Sequence, residues 1–141
     1  MARTNENYLR WKFGYWVAKG YVPNVNLVSP GEDVGVELEP GESAIARIAL
    51  DAELATLLLT DARFVQRAKT LVRFVDVAAC IWIDRDATVA AKLKREKFHR
   101  IILELRDGRE IVIDGLGQAV FPLLNFFWNK LGRYSDRAAA L

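Results

Sequence analysis

Polar and apolar positions change period along the chain. Leu9, Phe13 and Trp16 fall at spacings of four and seven, one face of an α-helix, and Tyr8, Trp11 and Tyr15 line the adjacent stripe. Trp11, Phe13, Tyr15 and Val17 also alternate as strand residues do. The helix is the preferred reading, with Gly20 just past its end. Residues 22–42 hold Pro23, Pro30, Pro40, Gly31, Gly35 and Gly41, which cut the segment into loop with at most one short strand over 34–38.

From Ser43 the texture becomes that of short strands, expected over 43–50, 54–60, 63–67, 71–77 and 79–83, each bounded by Asp, Gly or charged residues. A hairpin follows. Ile101, Leu103 and Leu105 alternate, Arg106-Asp107-Gly108 interrupts, and Ile111 and Ile113 resume. A two-residue Asp107-Gly108 turn pairs Glu104 with Ile111 and puts a charge on the apolar face. A three-residue loop with Gly108 at positive φ pairs Leu103 with Ile111 and Ile101 with Ile113, gathering the apolar residues together. The bulged form is therefore expected.

Leu116, Val120, Leu123, Leu124, Phe127 and Leu131 then share one stripe of a 3.6-residue period. Pro122 either sits near the true start of this helix or bends one that begins near Leu116. Gly132 is the expected stop, and residues 133–141 read as a loosely held tail. The expected organisation is an aromatic-basic extension and connector over 1–39, a domain over 40–132 and the tail.

Composition narrows the chemistry more than the fold. The 141 residues are 52% hydrophobic and 27% charged, enough to bury the core of one domain, with a net charge of +2. That balance is unlike a dedicated nucleic-acid binder. It hides a segmental imbalance: residues 1–31 carry +3, 32–61 carry −7, 62–100 carry +6 and 101–141 carry zero. Scattered, solvated charge is the leading reading, and pairing of opposite surfaces within the fold or head to tail between copies is the other. One Cys and one His, Cys80 and His99, support neither an internal disulfide nor a four-ligand zinc site. Cys80 lies in an apolar run and is expected in the core, and His99 has no evident acid partner. Asp84 and Asp86 fall short of a calcium shell, and Gly115-Leu116-Gly117 lacks the residues of a phosphate loop. No catalytic residue, metal ligand or cofactor is assigned. The N-terminus lacks the apolar stretch of a signal peptide and no run is long enough to span a bilayer, so a cytoplasmic, or at most membrane-peripheral, protein is expected.

Three short motifs resemble bacterial pleckstrin-homology (PH) and GRAM-type domains. They are Pro40-Gly41-Glu42 before the first main strand, Leu58-Leu59-Thr60-Asp61-Ala62-Arg63-Phe64 at a strand–turn–strand junction, and the Arg106-Asp107-Gly108-Arg109-Glu110 hairpin feeding the terminal helix. The likeness covers about residues 40–131. It implies a mainly β, α+β fold: a PH-like bent antiparallel sheet or partly open barrel capped by the C-terminal helix, here with an N-terminal helical extension. It also implies a non-catalytic binding or assembly module. Phosphoinositide-binding members use basic residues around the loop joining their first two strands. Here that loop is Leu50-Asp51-Ala52-Glu53, short and acidic, and no such site is carried over.

Two surfaces are candidates for binding. Tyr8, Trp11, Phe13, Tyr15 and Trp16 combine amphipathic rings with the cations Arg10, Lys12 and Lys19. Burial against the domain or a second subunit is the leading reading, with a membrane interface next and another protein third. Lys92, Lys94, Arg95, Lys97 and Arg100 form a basic cluster before the hairpin. A solvated loop leads there, contact with an anionic lipid surface or acidic partner follows, and nucleic acid comes last because basic residues are not interleaved with aromatics. The expected function is self-association or protein recognition, with docking on anionic lipid as the alternative.

Overall fold

The computed structural model describes residues 4–50, 56–81 and 100–131. Helix α1 (Asn5–Ala18) starts where the Thr4 hydroxyl accepts the Asn7 N–H at 3.1 Å. Its apolar stripe is the expected one: Leu9 and Phe13 are fully buried, and Trp16 packs half-buried against the same core. The helix ends at Ala18, and Gly20 just past it has a φ of +74°, in the left-handed region that helix stops favour.

Among the described residues eight strands form two antiparallel sheets with no closed barrel. The first sheet is a meander of β1 (Val25–Leu27), β2 (Ala44–Ala49), β3 (Thr56–Thr60), β4 (Arg63–Gln66) and β5 (Lys69–Arg73). The second holds β6 (Val77–Ile81), β7 (Ile101–Leu105) and β8 (Glu110–Ile113). The terminal helix α2 (Val120–Lys130) packs against β6 and α1. The described residues thus form an α+β fold, mainly antiparallel sheet with two α-helices.

The hairpin of β7 and β8 has the bulged register, with Ile101 opposite Ile113 and Leu103 opposite Ile111. Gly108 sits at φ +92°, and its N–H donates to the Leu105 carbonyl at 3.0 Å. In α2, Pro122 is the third residue, where a backbone N–H has no acceptor within the helix, so the proline costs no hydrogen bond. A single 3₁₀ turn (Gly117–Ala119) leads into the helix. Gly132 and the expected tail lie outside the described residues.

Two expectations need correcting. The strand expected over 71–77 is broken: β5 stops at Arg73, a 3₁₀ turn (Phe74–Asp76) follows, and Val77 opens the second sheet. Burial of Phe74 drives the bend. Its ring meets Phe64, Phe126 and Phe127 with centroids 5.2, 5.2 and 5.4 Å away, while the next residue, Val75, faces solvent. Between α1 and β2 the extended pairing occurs at Val25–Leu27, against β2, and not over 34–38. Asn24 secures that corner by donating its amide to the Ala49 and Leu116 carbonyls at 3.0 and 2.9 Å.

Residues 34–38 instead lie as a strap across the outer face of the first sheet. Val34, Val36 and Leu38 pack on Val28, Ala44, Leu58 and Val65, so the alternation marks a one-sided contact without a ladder. Arginines from three strands hold the strap and its flanks. Arg47 pairs with Glu32, Arg63 pairs with Glu42 and donates to the Glu37 carbonyl, and Arg73 pairs with Glu39. Arg63–Glu42 and Arg73–Glu39 thus pair part of the basic segment with the acidic one within one chain.

Candidate docking face on helix α1

The five aromatic candidates divide by the helical period. Phe13 points into the core and is withdrawn from any surface role, being 0% exposed. Tyr8 and Trp16 are half-buried against α2: Tyr8 meets Phe126 at 6.0 Å between centroids, and Trp16 stacks on Phe121 at 6.0 Å with planes 21° apart. Trp11 and Tyr15 are turned outward, 54% and 51% exposed. They are four positions apart, so their side chains stand one turn apart on the same face.

Cations accompany the two rings. The Lys12 ammonium lies 5.2 Å from the Trp11 ring centroid and that of Lys19 5.6 Å from the Tyr15 ring. Arg10, grouped with them in the sequence, plays a different part. Its guanidinium pairs with Glu6 and donates to the Val28 and Ala44 carbonyls at 2.9 and 3.0 Å, pinning the helix to the first sheet. Tyr21 lies past the end of α1, outside the helical stripe of the five candidates. It is 49% exposed and stands edge-on to Trp16 at 5.4 Å, at the far end of the same helix.

Of the basic cluster, Arg100 is half-buried just before β7, and Lys92, Lys94, Arg95 and Lys97 lie outside the described residues, as do His99, Asp84 and Asp86. The loop residues Asp51, Ala52 and Glu53 lie outside the described residues too.

The tightest polar cluster joins two of the motifs quoted above. The Arg63 guanidinium holds both oxygens of Glu42, Nε to Oε2 at 2.8 Å and Nη2 to Oε1 at 3.0 Å, and donates to the Thr70 hydroxyl. The Thr60 hydroxyl meets Glu42 at 2.6 Å and accepts the Ala62 and Arg63 N–H groups, while the Asp61 carboxylate accepts the Ser43 N–H. Burial pushes the Glu42 carboxyl up, but the bonds from Arg63, Thr60 and the Glu39 N–H hold it below its ordinary value. Each of these groups is occupied by the others, as expected of a structural lock. Cys80 is fully buried and burial pushes its thiol far up, which keeps it protonated and unreactive. Among the described residues no three His, Cys, Asp or Glu side chains gather in a metal-binding group. No described helix is long and apolar enough to cross a membrane. A notch of about 160 Å³ beside β8, lined by Leu50, Leu57, Leu71 and Val112, is smaller than ordinary small-molecule sites.

No family model, curated protein or solved structure matches this chain.

Proposed function

We propose that the chain is a non-catalytic, PH-like binding module that docks through the outer face of α1. One observation carries this reading: a helix anchored in the core by Leu9 and Phe13 turns Trp11 and Tyr15 into solvent with a lysine beside each ring. Large rings on a fixed helix lose little entropy when covered, which is how binding surfaces use them. Support for the PH-like assignment comes from the two antiparallel meanders followed by one apolar helix, and from the contact of the Pro40-Gly41-Glu42 motif with Thr60 and Arg63. The non-catalytic part is supported by the buried Cys80 and by the mutual saturation of the Glu42–Thr60–Arg63 cluster.

Sedimentation velocity and vesicle co-sedimentation of wild type and Trp11→Ala/Tyr15→Ala test the docking face. At least one association is expected in the wild type and is lost in the double variant at unchanged thermal stability. Identical behaviour of the two proteins in both experiments contradicts it.

A further inference from the structure

The charges around this face select among partners. Five arginines of the described residues are held by carboxylates: Arg10 by Glu6, Arg47 by Glu32, Arg63 by Glu42, Arg73 by Glu39 and Arg109 by Asp107. Lys12 and Lys19 have no acidic partner among the described residues and lie instead along Trp11 and Tyr15. The face therefore presents two positive charges, without an acidic partner among the described residues, interleaved with two exposed rings.

Its shape is the convex side of a helix, with both rings one turn apart so that a plane meets them together. Indole and phenol rings carry apolar bodies with polar tips and settle at the headgroup boundary of a bilayer. Ammonium groups beside them add attraction to anionic headgroups within a Debye length. A second copy fits less well. Twofold pairing sets the same patch against itself and gathers four ammonium groups with no counter-charge. Resting on the docking face proposed above, we propose that α1 binds the surface of an anionic lipid bilayer. Trp11 and Tyr15 enter the headgroup layer and Lys12 and Lys19 meet its phosphates and carboxylates.

The test uses the full chain with vesicles of phosphatidylcholine alone and of phosphatidylcholine mixed with phosphatidylserine, at low and high salt. Wild type sediments with the mixed vesicles at low salt, and less so at high salt. Trp11→Ala/Tyr15→Ala abolishes this binding, and Lys12→Glu/Lys19→Glu weakens it by at least ~10-fold. Arg67→Glu/Lys69→Glu makes the same change of charge at the exposed β4–β5 turn and leaves binding at the wild-type level. Equal loss in that control, or no binding of wild type to mixed vesicles, overturns the lipid assignment. Should wild type ignore vesicles yet form an oligomer that Trp11→Ala/Tyr15→Ala dissociates, the docking face stands and its lipid partner falls. If neither association occurs, both fall together.

Discussion

Glu42 and Arg63, 21 residues apart in sequence, close a two-point ion pair over the outer face of the first sheet, their side chains 2% and 8% exposed. Removing one partner strands the other's charge away from water. Arg63→Met alone is expected to cost about 3–5 kcal/mol, and Glu42→Leu/Arg63→Met less than the sum of its single changes. Urea unfolding of the two singles and the double measures the coupling. Additivity within about 0.5 kcal/mol contradicts it.

The same pair sets a pH dependence. Glu42 is held below its ordinary value of 4.5 despite burial, Glu39 is lowered by its hydrogen bond to Arg73, and Glu32 by its bond to Arg47. A carboxyl lowered in the folded state contributes stability that is complete above its unfolded value and lost as pH falls through the folded one. Urea midpoints are therefore expected to hold from neutral pH down to about 5 and to fall below about 4.5. Glu42→Gln starts lower and falls less steeply. Parallel wild-type and variant curves contradict the assignment.

Neighbouring aromatics on α1 differ in what they support. Phe13→Ala opens a cavity in the core and is expected to cost about 3–5 kcal/mol. Trp11→Ala, outward on the same helix, is expected to cost under about 1 kcal/mol. Thermal and urea unfolding of the two variants distinguish them, and comparable losses show that Trp11 is part of the packing.

At Gly108 the hairpin needs φ +92°. A β-carbon strains that conformation, so Gly108→Ala is expected to lose about 1–2 kcal/mol with the β7–β8 register intact. Urea unfolding gives the loss, and cross-strand NOEs between Leu103 and Ile111 report the register.

Local patterns in the sequence expressed the structure where neighbours in the chain decide it. Leu9 and Phe13 mark the buried side of α1 because helical spacing alone fixes the face. The β7–β8 register follows from keeping Glu104 off the face of Ile111. Over 34–38 the alternation of Val34, Val36 and Leu38 is real, but whether a one-sided segment pairs or lies across a sheet depends on distant residues, here Leu58 and Val65. The break after Arg73 was hidden for a similar reason, since Phe74 turns inward to meet Phe126 and Phe127 on the terminal helix. Within the candidate face the aromatic-basic composition was legible. Its division into inward Phe13 and outward Trp11 and Tyr15, and the capture of Arg10 by Glu6, Val28 and Ala44, required the fold.

Trp11 reports the central claim most directly. The difference between the emission of wild type and Trp11→Phe isolates this ring from Trp16, Trp82 and Trp128. Without lipid the difference spectrum is expected to be red-shifted and open to a soluble quencher. With phosphatidylserine-containing vesicles it is expected to shift to the blue and become protected, while phosphatidylcholine alone leaves it unchanged. A Trp11 signal that anionic vesicles leave red-shifted and quenchable contradicts docking of α1 on a lipid surface.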